Sequence, residues 1–126
     1  MKYHDYHIDK YEVSDRGKTI QFHLVYGYAG EETDTSEITF SQVVLYNFIH
    51  TDNAIITDIY EVKPSELIKE ISSQVTEWNR MYRVNLWEKD SSTYGAKLES
   101  LGYKAWHIES AIGFYGFIIA KTVSNA

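Results

Sequence analysis

The sequence predicts an α+β fold, in which a mainly antiparallel sheet, curled or folded into a sandwich, packs against one long amphipathic helix. Two groups of segments, within residues 6–62 and 103–123, have the apolar and β-branched patterns of strands. Between them, residues 64–84 repeat apolar side chains at helical spacing. This order, in a chain of 126 residues, predicts a single domain over residues 1–126.

The first two strands are predicted on either side of a short turn. Residues 18–26 alternate apolar with polar side chains and are rich in β-branched and aromatic residues, as in a half-buried strand. The sequence Asp-Arg-Gly at 15–17 is typical of a turn. We therefore expect residues 6–13 to form a hairpin with this strand.

Two further strands are predicted before the helix. Residues 38–49 have strand character, but their alternation slips at 41–42, which predicts a bulge or a break into two strands. The sequence Thr-Asp-Asn at 51–53 predicts a turn. Residues 54–62 form the next strand candidate, and we expect them to pair with 43–49 as a hairpin.

The long helix is predicted over about 64–84. Pro64 suits the first turn, because the N–H that proline lacks would be unpaired there in any residue. One face carries apolar side chains at spacings of three and four, namely Leu67, Ile68, Ile71, Val75, Trp78 and Tyr82.

The last third of the chain is predicted to return to the sheet. Residues 89–92 have loop composition, and 96–101 form a short helix that Gly102 ends. Residues 103–109 alternate as a strand does. The segment 114–123 is continuously apolar in its middle, which predicts a strand that is buried on both faces and therefore central.

The net negative charge comes entirely from the first half of the chain. The net charge is −6, from 12 basic and 18 acidic residues. Residues 1–63 hold 5 basic and 11 acidic residues, whereas 64–126 hold 7 of each. Phosphate is repelled by such a surface, so we expect no binding to nucleic acid or to an anionic membrane, and a basic protein partner instead. The alternative is that the charge only keeps a small protein soluble.

Several classes of chemistry lack their motifs. The chain has no Cys, which excludes disulfides, thiolate zinc sites and cysteine nucleophiles. It contains no G-x-S-x-G, P-loop or G-x-G-x-x-G sequence, so we predict no catalytic residue and no cofactor. We also predict no metal site, because His4 and His7 would point to opposite faces of a strand.

The sequence predicts a cytoplasmic protein. No signal peptide is visible at the N-terminus. The longest apolar run, 111–120, has half of the roughly 20 residues that a bilayer-spanning helix needs.

Tyrosine is the least ordinary component, with 11 residues. Tyr supplies stiff, amphipathic contact area, and Arg stacks on aromatic rings. Aromatic residues interleaved with acids are therefore typical of a surface that binds a basic protein. The alternative is a Tyr-rich sheet whose rings lie half in the core. The predicted binding residues are Tyr26, Tyr28, Glu31, Glu32, Asp34 and Glu37.

A second candidate site is a pocket. His23, His107 and the neighbouring Trp106 are its candidate residues, since either imidazole could act as a general base if a carboxylate oriented it. The alternative is that both are ordinary surface or hydrogen-bonded histidines.

Parts of the chain resemble small uncharacterised bacterial proteins. The resemblance lies in residues 37–43, 53–59 and 101–110, with Gly113 and 116–120, and it extends over about two thirds of the chain. Proteins of this kind include immunity-like proteins of bacterial toxin systems. The resemblance implies a short, acidic, single-domain cytoplasmic protein without catalysis, and it transfers no functional residue.

Three functional hypotheses remain open. The first is a non-catalytic, immunity-like bacterial protein that docks a basic partner through an acidic Tyr-rich face. The second is a small enzyme or ligand-binding domain with a cleft between sheet and helix. The third is a structural protein that forms homo-oligomers through an edge strand or exposed aromatic side chains.

Overall fold

The structure, a computed structural model, describes residues 3–82 and 90–125. It confirms the α+β class, with a mainly antiparallel sheet and two helices. The elements are β1 (His7–Ser14), β2 (Thr19–Tyr26), β3 (Asp34–Ser41), β4 (Leu45–Val62), α1 (Pro64–Tyr82), α2 (Ser91–Ser100), β5 (Lys104–Ala120) and β6 (Thr122–Asn125), with a 3₁₀ turn at Asp15–Gly17.

The sheet is curled, and its two edge strands, β5 and β6, follow each other directly in the chain. Its strand order is β5-β4-β1-β2-β3-β6, and all pairs are antiparallel. The edge strands β5 and β6 are separated in sequence only by Lys121. One segment of chain therefore pairs with β4 at one edge and with β3 at the other, and the described strands leave the sheet open between β5 and β6.

Two hydrophobic cores lie on the two sides of this curl. The inner core contains the alternate residues Ile20, Phe22 and Leu24 of β2, all at most 1% exposed. The outer core lies between the helices and the outer face of β4 and β5. It is built from Leu67, Ile68, Ile71 and Val75 of α1, Leu98 of α2, and Ala105, Phe117 and Ile119 of β5.

The strand β5 is buried on both faces, but it is an edge strand. Ile118 and Ala120 point into the inner core, whereas Phe117 and Ile119 point into the outer core. The prediction that this segment is central in the sheet is therefore wrong. Its outer face is buried because the helices α1 and α2 pack on it, and not because strands lie on both sides of it.

The predicted turn at 51–53 is instead an irregularity within β4. Both halves of β4 pair with β5, and the register shifts between His50 and Ile55. The matching kink in β5 is at Gly113, whose φ is +86°. A Cβ on that glycine would lie 3.0 Å from the backbone oxygen of Asp52. The expected hairpin of 43–49 with 54–62 is therefore wrong.

Other local predictions are confirmed with adjusted bounds. The hairpin of β1 and β2 forms around the turn at 15–17. The predicted break at 41–42 separates β3 from β4, and Gln42 there has a φ of +55°. The helix α1 begins at Pro64 as predicted, while its predicted last residues, 83–84, lie outside the described part of the chain.

The second helix begins earlier than its composition suggested. It starts at Ser91 rather than at residue 96, because the Asp90 carboxylate caps it by accepting from the Thr93 backbone N–H at 2.8 Å. Residues 91–92 are therefore helical, and Lys89 lies outside the described residues. Gly102 follows the helix with a φ of +86°.

Candidate functional site

Three tyrosine rings pack against one another at one end of the curled sheet. Tyr26 ends β2, Tyr28 follows it, and Tyr6 immediately precedes β1. Because β1 and β2 are antiparallel with His7 opposite Val25, Tyr6 arrives beside Tyr26. The ring centroids of Tyr6 and Tyr26 are 5.3 Å apart, and those of Tyr26 and Tyr28 are 5.1 Å apart.

Each of these hydroxyl groups donates to an acidic residue. Tyr6 donates to the Asp34 carboxylate and Tyr26 to the Glu31 carboxylate. Tyr28 donates to the backbone oxygen of Asp5 at 2.6 Å. We call these residues the tyrosine rim, which consists of Asp5, Tyr6, Tyr26, Tyr28, Glu31 and Asp34.

The protons of the rim stay on the phenols. The hydrogen bond to Glu31, with smaller contributions from burial and neighbouring charges, raises the pKa of Tyr26 to about 12. The hydrogen bond to Asp34 raises the pKa of Tyr6, and burial raises that of Tyr28. The phenols of Tyr6 and Tyr26 are therefore protonated at neutral pH and donate to the two carboxylates.

Little positive charge is available to neutralise this end of the sheet. Residues 19–62, from β2 to β4, contain no Lys or Arg and 7 acidic residues. Within the described ranges, no Lys or Arg lies in ion-pair distance of Glu31 or Asp34. His4 lies 3.1 Å from the Asp5 carboxylate. The rim is thus an exposed acidic surface with aromatic faces.

Two of the predicted binding residues lie apart from these contacts. Glu37 is on the outer face of β3, where its carboxylate lies 3.1 Å from Nδ1 of His23. Glu32 is exposed in the loop beside Glu31. Of the six predicted binding residues, the structure brings together Tyr26, Tyr28, Glu31 and Asp34.

His23 is held between two carboxylates across three strands. Its Nε2 lies 3.1 Å from Glu12 of β1, and its Nδ1 lies 3.1 Å from Glu37 of β3. The hydrogen bond from His23, and next the charge of Lys10, hold the pKa of the Glu12 carboxyl below its usual value. This arrangement joins the outer faces of the strands.

The other two candidate pocket residues lie in different surroundings. Trp106 points into the inner core, with its ring 5.2 Å from that of Phe40. His107 points the other way and is buried, with Nε2 3.3 Å from the Glu70 carboxylate of α1. Its ring stacks on Tyr60 at 5.3 Å. The structure does not bring these residues and His23 into one pocket.

Sequence reasoning singled out the tyrosines of the first half but not the pairing of Tyr6 with Asp34. Regular pairing from the turn at 15–17 would place Tyr6 opposite Gly27. A register shift between Ile8 and Lys10 instead brings Tyr6 beside Tyr26, and the next antiparallel pair places Tyr26 opposite Asp34. Asp5 lies in the rim because it directly precedes Tyr6 in the chain.

No metal-binding group is found in the described chain: no three His, Asp or Glu side chains there are placed to hold an ion. Neither α1 nor α2, the helices within the described residues, is both long and apolar enough to cross a bilayer. Comparison of the chain with family models, with curated proteins and with solved structures gives no significant match in any of the three.

Proposed function

We propose that this chain is a bacterial protein-binding protein that docks a basic partner through the tyrosine rim. The observation that carries the proposal is that the hydroxyls of Tyr6 and Tyr26 donate to the Asp34 and Glu31 carboxylates on an exposed end of the sheet. Such groups are ordered before binding, so little conformational entropy is lost when a partner arrives.

The chemistry of the rim favours Arg and Lys. A guanidinium group can pair with the Glu31 or Asp34 carboxylate, which has lone pairs left after accepting from one phenol. The same guanidinium group can stack on the ring of Tyr28, a residue that is 37% exposed. The exposed carboxylates of the rim attract a basic protein before contact, so they should mainly raise the rate at which the partner associates.

In the immunity-like case, the partner is a toxin and the mechanism is occlusion. The rim would cover a basic surface that the toxin needs for its own substrate. This setting rests on the sequence resemblance, whereas the docking chemistry rests on the rim.

A charge-removal experiment tests the docking. The double variant Glu31→Gln/Asp34→Asn keeps acceptor oxygens for both phenols but removes two charges. Glu66→Gln/Glu77→Gln on α1 removes the same charge from the charge-balanced half and is the matched control. Calorimetry with short polyarginine and polylysine peptides then measures the affinity of each variant.

We expect the rim variant to lose most of its affinity and the control to keep it, with polyarginine bound more tightly than polylysine. Binding should weaken as salt is added. Equal losses in the two double variants would show that only the net charge matters, and the proposed docking site would be wrong. A photo-crosslinker placed at Tyr28 in cells identifies the natural partner, which should be basic and should escape capture by the rim variant.

A further inference from the structure

The edges of the curled sheet leave a cleft where they diverge. Lys121 joins β5 to β6, but the first half of β5 pairs with β4 and β6 pairs with β3, so these two segments are not hydrogen-bonded to each other. The space between the β3–β6 edge and the β4–β5 edge is a cleft of about 340 Å³. This volume lies at the small end of the roughly 300–1,000 Å³ that ligand sites occupy.

The lining of the cleft is aromatic and apolar. Trp106, Tyr3 and Phe40 contribute to it and are 6%, 5% and 0% exposed, so their positions are fixed by the inner core. Val123 of β6 stands at its mouth and is 41% exposed. The three rings therefore form a rigid floor, and the accessible apolar surface comes from Val123 and from the small exposed parts of Trp106 and Tyr3.

One charged side chain lines the cleft within the described residues, the carboxylate of Glu61 on β4. A carboxylate at the edge of an apolar cleft attracts an organic cation through charge pairing. An anion would be repelled by the same carboxylate. The chemistry of the lining thus selects the sign of the ligand's charge.

A neighbouring lysine competes for this carboxylate. Nζ of Lys104 lies 3.9 Å from Oε1 of Glu61, and both side chains are more than half exposed, at 55% and 54%. An exposed pair of this kind contributes little free energy, so a ligand cation can replace the lysine. Removing Lys104 should therefore strengthen binding of a cation.

We infer that this cleft, which we call the seam cleft, binds a small aryl- or alkylammonium compound. The apolar part of the ligand lies against Val123, Ile59 and the exposed edge of Trp106, and its ammonium group lies at Glu61. This site is separate from the tyrosine rim, and the inference stands independently of the proposed docking of a basic protein.

NMR titration with phenethylammonium tests the inference, with 2-phenylethanol as the neutral match and 3-phenylpropionate as the anionic match. We expect saturable shifts of the Trp106 indole N–H, with affinity falling from cation to neutral to anion. Glu61→Gln should weaken the cation about two- to fivefold, and Lys104→Met should strengthen it by a similar factor, as expected for exposed ion pairs.

Two tryptophan substitutions locate the site. Val123→Trp fills the mouth of the cleft and should abolish binding. Val13→Trp places the same side chain on β1, at a valine that is also 41% exposed, and should leave binding unchanged. The rim variant Glu31→Gln/Asp34→Asn should also bind the cation normally, which separates this site from the proposed docking site.

The inference is overturned by any of three results. These are an absence of saturable binding up to millimolar cation, equal affinity for the cation and the anion, and an unchanged cation affinity in both Glu61→Gln and Lys104→Met.

Discussion

The close approach of β4 to β5 at Gly113 can be measured by replacing this glycine with alanine. Gly113 has a φ of +86°, and an added Cβ would lie 3.0 Å from the Asp52 backbone oxygen and 3.1 Å from Cα of Ala54. Backbone atoms cannot move aside as the end of a side chain can. Gly102 provides the control, because its φ is also +86° but an added Cβ there meets nothing within 4 Å.

The two substitutions share every cost except the contact. A left-handed conformation costs an alanine about 1–2 kcal/mol. The lower entropy of the unfolded alanine chain offsets about 0.4–1 kcal/mol of this. We therefore expect Gly102→Ala to destabilise the protein by about 1 kcal/mol. Overpacking costs a further 1–3 kcal/mol, roughly, so Gly113→Ala should cost about 2–4 kcal/mol.

Urea denaturation followed by circular dichroism measures both free energies of unfolding, provided that the slope with urea is the same in all three proteins. The difference between the two variants is the informative quantity. If Gly113→Ala costs no more than Gly102→Ala, then β4 does not approach β5 closely at this point, and the described kink is incorrect.

Three further substitutions test local contacts. Asp90→Ala removes the cap of α2 and should lower the free energy of unfolding by about 1 kcal/mol in urea denaturation. Glu31→Ala removes the hydrogen bond that is the main cause of the raised pKa of Tyr26, so the phenolate absorbance of Tyr26 should appear nearer pH 10 than about 12. The wild-type stabilisation by that proton is complete below pH 10 and is lost as the pH rises through about 12. His23→Val should raise the pKa of the Glu12 carboxyl, observed by carboxyl carbon NMR, since His23 is the largest cause of its lowering. In the wild type this pairing stabilises the fold above the usual carboxyl pKa and is lost as the pH falls through the lowered value.

Elements with local causes could be predicted from the sequence. The start of α1 follows from Pro64 and the apolar stripe behind it, and the first hairpin follows from the turn at 15–17. These features depend on residues within a few positions of one another. The pairing of Tyr26 with Glu31 is local in the same way, five positions apart.

Features decided by distant partners could not be predicted. The Thr-Asp-Asn sequence at 51–53 suits a turn as well as an irregular strand, and it is the kink at Gly113 that keeps β4 continuous. The burial of β5 on both faces similarly depends on helices that pack outside the curl. The sequence groups Glu37 with the acids of the preceding loop, but the register of β2 and β3 places it opposite His23.

The single residue between β5 and β6 has a consequence for how the chain folds. Ile38 of β3 pairs with Asn125 of β6, which is 87 positions away (125 − 38), whereas the pairs within the β1–β2 hairpin are close in sequence. The hairpin can form early, but the β3–β6 ladder must wait for a long loop to close. Because β6 follows β5 directly, pairing of β5 with β4 brings β6 close to β3. We expect refolding to be slow for a domain of this size, with the two edges of the sheet acquiring amide-exchange protection together.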